Sequence, residues 1–212
     1  MISIELVGNV ATILTIVSFL TGSTICRNIY RSGSTKDFTS LPFLMGTACS
    51  YLWLRYGFLL DDSTMIFINT IGLILQSFYL LWFYLFTTHK NRINRKLFLL
   101  AIFLTATHFH IRWSTSPDQL IGSLAALSSL FFCASPLPLV FESFRNKCTE
   151  NLPFLLILSS FLVSFMWFIY GYLIDNAFVQ IPNGLASIIA GVQLSLFLFF
   201  PSKRNLEVFI ET

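Results

Sequence analysis

The 212 residues are 55% hydrophobic, 17% aromatic and only 11% charged, with a mean hydropathy of +0.75. Soluble domains carry about 25% charged residues, and a chain this short has too little interior to hide so much apolar surface. A soluble globular fold is therefore excluded, as are disorder, a collagen-like repeat and a disulfide scaffold. The formal charge of +3 would suit a nucleic-acid partner only if the cations clustered on one face; no nucleic-acid partner is expected, because they alternate along the chain as membrane loops do.

A membrane-spanning helix needs about 20 mostly apolar residues. Seven runs predict spans: Leu6–Ile25, Leu41–Leu60, Thr64–Thr87, Leu97–Ile111, Leu120–Phe141, Leu152–Ile174 and Ala177–Phe200. The first lacks a positive n-region and is long enough to cross a bilayer, so it reads as a span and not as a cleaved signal. The fourth is the shortest and carries His108 near its end. The sequence thus predicts an all-α integral membrane protein with seven transmembrane helices, with only the tail 201–212 outside the bundle.

The basic residues follow each odd-numbered run. Arg27, Arg31 and Lys36 come after the first, Lys90, Arg92, Arg95 and Lys96 after the third, Arg145 and Lys147 after the fifth, and Lys203 and Arg204 after the seventh. Of the 13 Lys and Arg, only Arg55 and Arg112 fall at the other end. Basic loops stay in the cytoplasm, which predicts an outside amino terminus and a cytoplasmic carboxyl terminus. The four cysteines lie within runs or at their basic ends and lack metal-ligand spacing, so they read as small apolar fillers. No metal, cofactor or catalytic residue is expected.

The chain repeats itself at an offset of 114 residues. Gly22 falls on Pro136, Arg31 on Arg145, Thr35 on Thr149, Trp53 on Trp167, Tyr56 on Tyr170, Gly57 on Gly171, Asp61 on Asp175 and Asn69 on Asn183. Leu41-Pro42-Phe43 matches Leu152-Pro153-Phe154 at an offset of 111, as if each half carried three extra residues at a different place. A repeat of three helices would be inverted if joined directly to its copy. A single intervening helix restores parallel orientation. The predicted order is 3+1+3: a first repeat over residues 6–87, a linker helix over 97–111, a second repeat over 120–200 and a tail over 201–212.

These residues resemble the SWEET family of sugar facilitators, animal members more than plant ones. The motifs are Cys26-Arg27-Asn28-Ile29-Tyr30, Trp53-Leu54-Arg55-Tyr56-Gly57 and Asn69 in the first half, and Ala134-Ser135-Pro136-Leu137, Trp167-Phe168-Ile169-Tyr170-Gly171 and Ile181-Pro182-Asn183-Gly184 in the second. The resemblance implies a parallel seven-helix fold and passage of a neutral sugar across a lipid bilayer without a cofactor. It implies sugar contacts at Asn69, Asn183 and Trp167. It implies hinges for an inner gate at Pro42, Pro136 and Pro153, with Gly22 in place of the fourth proline, and an outer gate at Tyr56 and Asp175. The family's Asp-Pro-Phe before the last helix reads Asp175-Asn176-Ala177-Phe178 here. Relatives occur in the plasma membrane, the expected location, and in the Golgi; some form homo-oligomers.

The residue chemistry agrees with that implication. Trp53 and Asn69 each lie about 10 Å below the outer surface, at ~1.5 Å per residue, and Trp167 and Asn183 repeat the arrangement. Indole faces stack on the apolar C–H faces of a sugar, and an amide both donates to and accepts from adjacent hydroxyls. Taken singly, a membrane Trp is an interfacial anchor and an Asn an interhelical bond; it is the repeated pair at matched depth that makes a site. Pro42 and Pro153 serve equally as helix starts or hinges, whereas Pro136 stands inside a run, where it removes a backbone bond. No Asp or Glu stands mid-span, which predicts a uniporter over a proton-coupled carrier. The size of two indoles predicts a hexose. Two rivals fit worse. A seven-helix receptor has no reason to repeat, and a PQ-loop amino-acid exporter would carry Gln where Phe43 and Phe154 stand.

Overall fold

A computed structural model describes residues 3–134, 137–150 and 152–201. All regular structure among them is helical: α1 (Ile4–Ser32), α2 (Leu41–Leu60), α3 (Ser63–Phe86), α4 (Lys90–Trp113), α5 (Pro117–Ala134), α6 (Leu137–Asn146), α7 (Phe154–Leu173) and α8 (Ala177–Phe199). Together α5 and α6 form the fifth run, so the eight segments make seven spans. Pro136 and the tail cations Lys203 and Arg204 lie outside the described residues.

Several helices outrun their apolar cores at the basic ends. α1 continues through Arg27 and Arg31, and α4 starts at Lys90. Arg92, Arg95 and Lys96, which the hydropathy pattern assigns to a loop, stand on the first two turns of α4. Nothing from Lys90 to Lys96 breaks a helix, and long unbranched basic side chains lose little freedom in one, so hydropathy found only the lipid-matched part. The Lys90 ammonium caps the preceding helix. It donates to the carbonyls of Tyr84 and Leu85 and lies 4.3 Å from the centre of the Tyr84 ring.

Among the described residues, five stretches are long and apolar enough to cross a membrane on composition alone: α1, α3, α7, α8 and Pro117–Asn146. α2 is diluted by Pro42, two tyrosines and Arg55, and α4 by its basic start. On α1, Leu6, Ile13, Val17 and Leu20 form a stripe that is at least half exposed, as do Phe67, Ile74, Phe78, Leu81 and Leu85 on α3. Stripes this long are covered by lipid in a multi-pass membrane protein.

The chain divides into two compact units, Met1–Ser129 and Leu130–Thr212. In the first, α3 packs against both α1 and α2, and α2 meets α4. Its core joins Cys26 and Ile29 of α1, Phe43 and Leu44 of α2, Tyr79 and Phe83 of α3, and Ile93 of α4. Gly22 permits that packing. A Cβ there would fall 2.3 Å from the Tyr79 ring, whose hydroxyl donates to the Phe19 carbonyl at 3.2 Å. In the second unit α8 packs against α7 and α6 around Leu152, Ile157, Ala190 and Leu196. Ser187 and Ser164 join α8 to α7 through a buried 3.0 Å hydrogen bond.

The internal repeat extends into backbone geometry. Gly33 (φ 64°) and Lys147 (φ 48°) are both left-handed, with N–H groups donating to Tyr30 and Phe144. The Phe38 N–H reaches the Thr35 carbonyl at 3.1 Å, and the Leu152 N–H reaches that of Thr149 at 3.0 Å. Every one of these pairs stands at the 114-residue offset. Leu152 is thus the counterpart of Phe38, not of Leu41, which corrects the Leu-Pro-Phe alignment. The helix caps are Ser40 and Pro153, so Pro42 sits within the first turn of α2 while Pro153 precedes α7. Proline is tolerated at either place, because N–H groups there have no intrahelical acceptor.

Candidate functional site

Each half carries the same strand of local structure from its Trp to its Asn. The α2–α3 turn places Asp61 in the left-handed region (φ 54°), and the α7–α8 turn does so with Asp175 (φ 51°). Asp is one of the residue types that accept this conformation. The next residue caps the next helix. The Asp62 carboxylate accepts from the Met65 N–H at 2.9 Å, and the Asn176 side-chain oxygen accepts from the Val179 N–H at 3.2 Å. The backbone N–H groups of Asp62 and Asn176 donate to the carbonyls of Gly57 and Gly171, at 3.0 and 2.9 Å.

The two glycines allow this closeness. A Cβ on Gly57 would lie 3.1 Å from the Met65 Cβ and 3.2 Å from the Ile66 nitrogen; one on Gly171 would lie 2.7 Å from the Gln180 nitrogen. Helix meets helix at both points with backbone against backbone. This tight turn fixes the depth and rotation of the helix that follows, and so of its asparagine.

Asn69 and Asn183 are both half-buried, and both are held the same way. The Asn69 Nδ2 donates to the Met65 carbonyl at 2.9 Å, and the Asn183 Nδ2 donates to that of Val179 at 2.8 Å. Neither side-chain oxygen takes a hydrogen bond from another described residue. Each amide thus presents an acceptor and its second N–H in a fixed rotamer, which matches one hydroxyl pair of a sugar ring.

The tryptophans are less alike. Trp53 meets Tyr56 edge-on at 5.7 Å, and Trp167 meets Tyr170 edge-on at 5.3 Å. Trp53 is buried, however, and its indole N–H donates to the Ser129 hydroxyl of α5 at 2.9 Å, whereas Trp167 is half-buried. Tyr56 is buried and Asp175 exposed. The buried Nε of Arg55 has no hydrogen-bond partner among the described residues.

Sequence reasoning overlooked Ser129 and the capping pair Asp62 and Asn176. The caps were detectable: each is an Asp or Asn directly before an apolar run, at the repeat offset. Ser129 carried no such signal, being a common residue distant in sequence from its partner.

Comparison with known proteins bears on the same repeat. The model of the family described as "Sugar efflux transporter for intercellular exchange" (MtN3_slv) matches twice, over residues 5–91 and 119–205. The chain is 36% identical to the Drosophila pseudoobscura pseudoobscura protein named "Sugar transporter SWEET1", across 95% of this chain and 92% of that one. It is 29% identical to the rat protein of the same name, across 93% and 91%. A solved eukaryotic SWEET transporter superposes with a TM-score of 0.85 at 26% identity, across 92% of this chain and 95% of that one. With two copies of the family's repeat and its fold, the chain belongs to the MtN3/saliva family, the SWEETs, a family of transporters and not of enzymes.

Proposed function

We propose that the chain carries neutral sugars, hexose monosaccharides such as glucose above all, down their gradient by alternating access. The observation that supports this most is the pair of asparagine amides, each tethered to the carbonyl four residues back and each with its oxygen left to accept. Each amide offers a sugar hydroxyl hydrogen bonds equivalent to those it gives up to water. Trp167 supplies a ring face, and Trp53, with its N–H already bonded to Ser129, a rigid wall. The bulk of the two indoles underlies the preference for a monosaccharide.

In this reading residues 6–87 and 120–200 are the moving repeats and 97–111 the linker. Gly22, Pro42, Pro136 and Pro153 act as hinges of the inner gate, and Tyr56 and Asp175 belong to the outer one. The amino terminus faces outside and the tail the cytoplasm, in the plasma membrane. Transport is uniport, because no carboxylate stands mid-span to carry a proton.

Radiolabelled glucose uptake into proteoliposomes tests this. Uptake should reach the outside concentration and stop there, unaffected by a protonophore. Accumulation beyond equilibrium that a protonophore abolishes would contradict uniport, and transport of sucrose but not glucose would contradict the size argument.

A further inference from the structure

A cavity lies where the α1–α2 loop faces the α3–α4 junction within the first unit. It has a volume of about 360 Å³. Its titratable lining is wholly basic: Lys36 from the loop, with His89, Arg92 and Lys96 from the start of α4. Arg92 and Lys96 are four apart on α4 and share one face, and His89 is the residue that precedes the helix. The rest of the rim is hydroxyl-rich, with Thr35 and Ser40 on one side and Thr87 on the other, and all three are buried. The Lys96 ammonium is steered into place by the Ser40 hydroxyl, which accepts from it at 3.3 Å. Phe83 and Ile93, both buried, close the apolar floor.

Cations grouped around one cavity raise one another's energy, though less where, like Lys36 and Arg92, they are exposed to solvent. Topology explains why these residues are basic, but not why they line one cavity with hydroxyls between them. We infer that this cavity binds a phosphorylated polyol. Its phosphate sits against Lys36, Arg92 and Lys96, which donate charge-assisted hydrogen bonds, and its ring hydroxyls pair with the threonines and serines. Two sources supply that chemistry: the headgroup of a phosphoinositide in the adjoining leaflet, or a soluble sugar phosphate. Basic pockets at the membrane surface suit the first, and the cavity's hydroxyl-rich rim suits both. The inference does not rest on sugar transport, so the two readings fail separately.

The test is direct binding to the purified full chain in detergent, by isothermal titration. The probes are inositol trisphosphate, dioctanoyl phosphatidylinositol bisphosphate, glucose phosphate, inorganic phosphate and glucose. At least one phosphorylated polyol should bind about tenfold or more tightly than inorganic phosphate. Tighter binding of the dioctanoyl lipid than of its headgroup assigns the lipid source, and tighter binding of glucose phosphate the soluble one. The double variant Arg92→Gln/Lys96→Gln should weaken that binding by about tenfold or more, while Arg95→Gln/Arg145→Gln, which removes equal charge outside the cavity, should leave it within about twofold. Lys36→Gln/Arg92→Gln serves if the first pair fails to fold, as read from thermal melting. Equal weakening by the control pair, binding no tighter than that of inorganic phosphate, or no binding at all would overturn the inference.

Discussion

The turn joining α2 to α3 and the turn joining α7 to α8 are built from partly different residues yet make the same bonds. Asp62 and Asn176 cap alike, Gly57 and Gly171 admit a helix alike, and Asn69 and Asn183 are tethered alike. The opposite ends of the same repeats diverge. In the first half Gly22 lies under Tyr79, whose hydroxyl bonds to Phe19. At the corresponding positions of the second half stand Pro136 and Gln193, and the buried Gln193 amide nitrogen has no partner among the described residues. The asparagine end is thus under one shared geometric demand, while the end that carries Gly22 and Tyr79 has different residues in each half. Even at the asparagines one difference enters: Pro182 interrupts α8 next to Asn183, where Ile68 precedes Asn69.

The largest expected effect breaks the shared end. Asn69→Ala or Asn183→Ala should lower glucose transport to background in a protein that still folds and reaches the membrane. Each change leaves a sugar hydroxyl unpaired in a desolvated site, at about 1–3 kcal/mol. Equal loss in the two variants supports equivalence, and normal flux in one of them removes that residue from the site.

Next come the glycines, where the halves should separate in degree. Gly171→Ala drives a methyl against the Gln180 backbone, which cannot step aside, and should destabilise by about 1–3 kcal/mol in thermal or denaturant unfolding. Gly57→Ala meets its neighbours at longer distances and should cost less. The reverse order would show that the α7–α8 turn yields more readily than its contacts indicate.

The caps should be interchangeable. Asp62→Ala and Asn176→Ala should each lower stability by about 1 kcal/mol, whereas Asp62→Asn and Asn176→Asp should each be close to neutral, because both residue types accept from the N-terminal N–H. A large loss from either exchange would show that charge, not capping, is selected there.

The smallest effects belong to the divergent end. Tyr79→Phe should lose about 0.5–1.5 kcal/mol with its bond to Phe19. Gln193→Met, which replaces an unpartnered buried amide with an apolar chain of similar length, should leave melting unchanged or raise it. A marked drop would reveal a partner for Gln193 in another conformation.

Much of this was legible in the sequence, for identifiable reasons. Gly57 and Gly171 recur because no other residue fits, and Asn69 and Asn183 recur with them, so residue identity reported backbone geometry directly. The Leu-Pro-Phe motif misled because proline is acceptable both before a helix and within its first turn, so its identity does not fix its place. The starts of α1's basic extension and of α4 were hidden from hydropathy, which senses lipid and not helix. The bond from Trp53 to Ser129 was beyond reach, since a single serine has no periodicity to betray it.

In the proposed mechanism the tethered amides of Asn69 and Asn183 bind sugar in a passive carrier. Tracer glucose counterflow in proteoliposomes, with no ion or proton gradient, tests it most directly. Wild-type protein should drive transient tracer uptake against its own gradient when unlabelled glucose is loaded inside, and the Asn69→Ala/Asn183→Ala variant, reconstituted at equal density, should not. Equal counterflow in the two proteins would contradict the claim.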